Sequence, residues 1–79
     1  MPRYYTHVWT GTELARDSEG QQFVDLEAAC EAARRSARRL ICEEIERGSS
    51  VVELDYRVQD EAGTVLANIP VCATISGLR

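Results

Sequence analysis

No glycine-rich loop occurs in this chain. Its five glycines stand singly, at Gly11, Gly20, Gly48, Gly63 and Gly77, which leaves no backbone cradle for a nucleotide's phosphates. Cysteine is sparse as well. Cys30, Cys42 and Cys72 form no CxxC pair, and an odd number of thiols beside a single histidine, His7, gives neither a disulfide framework nor a zinc site. Reduced thiols are expected, with no metal and no cofactor. No stretch approaches the ~20 apolar residues that span a bilayer. The opening MPRYYTHVWTG also lacks the apolar run of a signal peptide, so the chain is expected to be cytoplasmic and not membrane-associated. Lysine is absent: all nine basic residues are arginines, within a net charge of -4. A polyanion-binding surface would therefore have to be a local patch working against the overall field, although arginine is the better bidentate donor to phosphate.

What remains is ordinary globular composition, 44% hydrophobic and 28% charged over 79 residues, unlike the signature of disorder. That length makes residues 1–79 a single small domain, close to the size at which one hydrophobic core only just suffices. The expected element order is β, β, α, β, β. Residues 4–10, YYTHVWT, are β-branched and aromatic and stop at Gly11, as a strand before a turn does. Glu13 to Asp17 can return as a second strand, "DSEG" (Asp17 to Gly20) forms a tight turn, and a short extended piece around Gln21 to Val24 follows as a sheet edge.

Asp25 is a good N-cap and Gly48 a good stop, so a helix is predicted from Leu26 to Arg47. On a wheel of ~100° per residue, Leu26, Ala29, Cys30, Ala33, Ala37, Leu40 and Ile41 gather in an arc of roughly 120°. The small residues in this arc let the helix lie close to a sheet, with the larger ones filling the space under its far end. Glu44 shares the arc and is expected to lie past the sheet, where its carboxylate reaches water.

After the helix, VVELDYRV alternates, with Val52, Leu54, Tyr56 and Val58 on one side and Glu53, Asp55 and Arg57 on the other. Gln59 to Gly63 make a loop and TVLANIPV returns as a hairpin. Pro70, having no amide proton, pushes the end of the last strand to a sheet edge or beyond the ladder, and the tail CATISGLR is expected to fray. The fold class is therefore α+β in two layers, one long helix on a three- or four-stranded antiparallel sheet.

The segment EAARRSARRLICEEIERG raises a sharper question, because Arg34, Arg35, Arg38 and Arg39 fall within six positions. They occupy the side of the helix opposite the apolar arc. Nucleic-acid helices carry an unbalanced positive stripe, whereas Leu26 to Arg47 holds five arginines and five glutamates. Pairs such as Glu31 with Arg35 and Arg39 with Glu43 have the i,i+4 spacing of solvated ion pairs. A solvated face is the favoured reading, with nucleic-acid binding through the four arginines as the alternative.

Chemistry is otherwise thin. His7, between Tyr5 and Trp9 on one side of the first strand, has no visible nucleophile or base partner. Glu53 and Asp55 read as solvated strand positions rather than cation ligands. Cys42 lies one turn from Arg38 and Arg39, which favours a thiolate, but the C-terminal half of a helix opposes that. No catalytic residue is assigned, and the chain is read as not an enzyme.

The stretches MPRYYTHV, ELARDSEG, DLEAACEAAR and YRVQDEAGTVL together resemble a family of small bacterial proteins known only as domain of unknown function six-eight-nine-four. Thr6 and Trp9 differ from its pattern, where an aromatic and a polar residue are expected. The resemblance implies the strand and helix order above and no recognised catalysis. A looser architectural similarity, two strands and then a helix opening D-x-E-A-A, links the chain to HicB-like antitoxin domains, which bind a toxin partner. The resulting expectation is a non-enzymatic protein interaction module, a homodimer or a partner of another protein, that uses an uncovered sheet face carrying Tyr5, His7 and Trp9 or an edge strand. A nucleic-acid or toxin-antitoxin regulatory module stands as the alternative.

Overall fold

A computed structural model describes residues 1–74. Along the chain run β1 (Arg3–Thr10), β2 (Glu13–Ala15), β3 (Gln21–Gln22), α1 (Leu26–Glu46), β4 (Val51–Gln59) and β5 (Val65–Thr74). All strand pairs are antiparallel, in the order β2-β1-β4-β5, and β3 pairs with the first two residues of β1. The α+β class holds, with five strands in place of three or four. The addition is the two-residue β3, which lies where the short extended piece before the helix was expected.

The helix starts because the Asp25 carboxylate accepts the Ala28 amide at 2.8 Å, satisfying a donor that has no partner inside the first turn. It ends at Glu46, one residue short of the expected Arg47, which is the C-cap. Gly48 then takes φ +97° and returns its amide to the Ile45 carbonyl at 2.9 Å, the left-handed exit that glycine adopts without penalty.

The helix packs against one face of the sheet only. Ala29, Cys30, Ala33 and Ala37 are buried on its inner side, facing Val52, Leu54, Tyr56 and Val58, which are all at most 5% exposed. Alternation therefore assigns the faces of β4 correctly, and the small helical residues bring the two layers close. The large buried Tyr56 is accommodated because its hydroxyl meets Ser36 Oγ at 3.0 Å, so that hydroxyl is not left unpaired. At the other end Tyr4 is buried beside Ala29, Cys30 and Val58, with Phe23 and Leu26 closing over them.

Two local expectations change, at the tail and on the helix surface. Cys72 to Thr74, placed in the fraying tail, are paired with Val51 to Glu53 as the end of β5; Ile75 to Arg79 lie outside the described residues. Pro70 sits inside this ladder, opposite Asp55. The ladder survives because β5 is an edge strand and the missing proton would have pointed outward. On the helix surface Glu31 contacts Arg34 at 3.5 Å and Arg38 at 4.0 Å, not Arg35, and no Arg39–Glu43 pair forms among the described residues. The Glu44 side chain is 35% exposed, so its carboxylate reaches water as expected, and it is held by Arg47 at 3.0 Å and by the Ser49 hydroxyl at 3.0 Å.

Candidate interaction surface

The pairing register decides which side of β1 meets the helix. Thr6 lies opposite Val58, Val8 opposite Tyr56 and Thr10 opposite Leu54, so these residues share the helix side. Tyr5, His7 and Trp9 lie opposite Gln59, Arg57 and Asp55 and point away from it. No element among the described residues covers that second face.

Its composition is read in rows across the strands, since directly opposed residues of neighbouring strands share a face. Leu14, Trp9, Asp55 and Pro70 form one row from β2 to β5. His7, Arg57 and Asn68 form the next, and Tyr5, Gln59 and Val65 a third. Tyr5, His7, Trp9 and Leu14 are half-buried, while Val51 and Val65, at opposite ends of the same face, are 54% and 49% exposed. Beside Trp9 a shallow concavity of about 400 Å³ is lined by Glu53, Asp55, Pro70 and Cys72.

Polar contacts fix the rows in place. The Asp55 carboxylate accepts from Arg57 at 3.2 Å through Oδ2 and from the Asn68 side-chain amide through Oδ1. The same Asn68 group donates to the Tyr56 carbonyl at 3.1 Å, tying β5 to β4. His7 is held differently. Its Nδ1 accepts the Asp17 amide at 3.0 Å, which ties the ring to the β2–β3 connection. Asp17 in turn accepts the Thr6 amide at 3.1 Å and the Gly20 amide at 2.9 Å. It thus stands in for a strand on the outer edge of β1, between β2 and β3. The Tyr5 ring lies against Gly20, where a Cβ would come within 2.8 Å of Cε2, so the β2–β3 connection supports that aromatic from the side.

The structure thus brings Tyr5, His7 and Trp9 into one file on an open surface. It places Arg34, Arg35, Arg38 and Arg39 on the opposite side of the molecule, all exposed on the helix. The two candidate surfaces are separate. Leu14, Asp17, Asn68 and Pro70 belong to the first and were not assigned to it from the sequence, because their membership depends on register. Among the described residues no group of three or more histidine, cysteine, aspartate or glutamate side chains is placed to hold a metal ion, and no helix is long and apolar enough to cross a membrane.

No curated protein and no solved structure matches the chain, so the similarity to HicB-like antitoxins gains no support. A family model does match, over residues 3–72, nearly all of the described fold. The chain belongs to the family described as Domain of unknown function (DUF6894).

Proposed function

We propose that this protein is a non-enzymatic interaction module of the bacterial cytoplasm that self-associates through its uncovered sheet face. The observation that carries the reading is the row Leu14–Trp9–Asp55–Pro70, with Tyr5 and His7 beside it, lying on a face that one helix cannot cover. Antiparallel sheets do tolerate water on one side, but their wet faces are then polar. Here a tryptophan, a tyrosine, a leucine, a proline and two exposed valines share the surface, an apolar content that marks contact sites in small domains.

The edge of β5 is the weaker alternative, because Pro70 interrupts its outward row of donors and blunts strand addition. Binding nucleic acid through the arginines is disfavoured by Glu31, which engages both Arg34 and Arg38, and by Glu53 and Asp55, which would repel phosphates from the aromatic face.

Light scattering across a concentration series tests the proposal. The wild type is expected to reach twice its 8.8 kDa monomer mass at high concentration, and Trp9→Ala to shift that equilibrium strongly toward monomer. A wild type that stays monomeric throughout, or a Trp9 emission showing full burial in the monomer, would sink the proposal. A salt-dependent mobility shift with RNA or DNA, lost on replacing the arginines, would favour the helix face instead.

A further inference from the structure

We infer that the partner on the open face is a second copy of this chain, related by a two-fold axis that crosses the strands midway between the Asp55 and Arg57 rows. Each Asp55 then meets the partner's Arg57, and each Trp9 packs on the partner's His7. The inference rests on the self-association proposed above and adds its geometry.

The argument is one of charge. Two identical sheets packed face to face, ~10 Å apart, are related by an axis lying between them. Suppose first that it runs along the strands. Placed over β4, it sets Glu53, Asp55 and Arg57 each on its own copy, three like-charge contacts in a partly desolvated layer. Placed between β1 and β4, it lays the Asp55 carboxylate on the ring face of the partner's Trp9, and that face carries negative charge.

Suppose instead that the axis crosses the strands. Centred on any charged row of β4, it again stacks that residue on itself. Centred between Glu53 and Asp55, it opposes two carboxylates. Centred between Asp55 and Arg57, it opposes unlike charges twice and no like charges at all, because Glu53 then faces the partner's Gln59. In that placement the row Trp9–Asp55–Pro70 lies over His7–Arg57–Asn68 of the other chain.

The intrachain Asp55–Arg57 contact at 3.2 Å already holds both groups at the height of the face. They enter the dimer oriented, as a four-membered ring of alternating charge. Four strands spaced ~4.8 Å apart, over rows spanning ~24 Å, present on the order of 450 Å² per chain. That totals about 900 Å² for the pair, below the range of stable specific interfaces, so a weak dimer with a dissociation constant on the order of micromolar is expected.

Charge reversal tests the pairing. Asp55→Arg and Arg57→Asp each place like charges opposite one another in a homodimer, and each is expected to weaken self-association by about tenfold or more. Mixed together, the two variants oppose unlike charges at both sites, and a heterodimer should form with an affinity within about threefold of the wild type. Native mass spectrometry with one chain isotopically labelled distinguishes the three species, and circular dichroism checks that each variant folds.

If a reversed chain does not fold, the neutral variants Asp55→Asn and Arg57→Gln decide. Each should weaken self-association several-fold, whereas unchanged association in both would overturn the pairing. A wild-type dimer whose reversed variants still dimerise, or whose mixture forms no heterodimer, overturns this geometry and leaves self-association standing. A wild type that is monomeric at about 100 µM removes both, since micromolar affinity would make it mostly dimeric.

Discussion

Replacing Asp17 tests whether one side chain substitutes for a strand. β1 is paired along its inner edge by β4 from Tyr5 to Thr10, while its outer edge is covered by β3 at Arg3 and Tyr4 and by β2 from Val8 to Thr10. The interval between them is bridged by the Asp17 carboxylate, which takes the amides of Thr6 and Gly20, and by the Asp17 amide, which donates to His7. Hydrogen bonds to a charged acceptor contribute ~1.5–3 kcal/mol each, and an amide left without a partner loses up to ~3 kcal/mol when fully buried.

Asp17 is half-buried, so water can reach the vacated positions in part. Asp17→Ala is therefore expected to destabilise by about 2–3 kcal/mol rather than by the full sum. Asp17→Asn keeps one acceptor but turns an NH₂ toward the second amide, and should lose about 1–2 kcal/mol. A domain of this size has a total stability of only ~4–12 kcal/mol, so the alanine variant should melt roughly 10–20 °C lower. Urea melts at one low protein concentration, with unchanged slope, give the difference free of any dimer contribution. Hydrogen exchange adds position: the Thr6 and Gly20 amides should lose protection ahead of those in the β4–β5 ladder. Loss of less than about 0.5 kcal/mol in Asp17→Ala, with Thr6 still protected, would refute the substitution of side chain for strand.

Ala33 and Ala37 are 3% and 2% exposed against β4, so leucine at either is expected to destabilise by about 1–3 kcal/mol through overpacking. Arg35→Ala on the far side should lose under about 0.5 kcal/mol, and denaturant melts that reversed this order would overturn the assignment of helix faces. Gly20 and Gly63 both have positive φ, +72° and +86°, but a Cβ at Gly63 meets open space while one at Gly20 comes within 3.0 Å of the Tyr4 carbonyl oxygen. Gly63→Ala should therefore lose only about 1–2 kcal/mol of left-handed strain, with Gly20→Ala worse by at least about 1 kcal/mol; equal urea midpoints would show that the β2–β3 connection shifts freely.

The legible parts of this fold are those fixed by short-range pattern. The alternation of β4, the apolar arc of α1, the Asp25 cap and the Gly48 exit each depend on neighbours within a turn or a pleat, and each lies where the residues place it. Misread details depend on finer or longer-range choices. Glu31 reaches Arg34 and Arg38 instead of Arg35 because exposed arginine rotamers are nearly equal in energy, and spacing alone does not select among them. The end of β5 is ordered because Val51 to Glu53 lie alongside it, a partner that the tail's own composition does not announce. Asp17 reads as an ordinary turn residue, and only the path of the chain past β1 reveals that its carboxylate faces an unpaired amide.

The face of β1 shows the same division and explains why function is the least legible layer. Tyr4, Thr6 and Val8 are no more apolar as a set than Tyr5, His7 and Trp9, so alternation within the strand marks two faces without saying which is inside. The choice is made by β4, whose single apolar side must meet the helix and whose register then carries Thr6 and Val8 inward with Val58 and Tyr56. Trp9 is left outside as a consequence of where Asp55 lies. A surface assembled in this way from Leu14, Trp9, Asp55 and Pro70 has no contiguous motif, since each member comes from a different strand. Its chemistry is likewise a property of the row: a tryptophan or an aspartate alone is an ordinary strand residue, and only the register sets Trp9 beside Asp55 and His7 beside Arg57, the juxtaposition on which the proposed dimer depends.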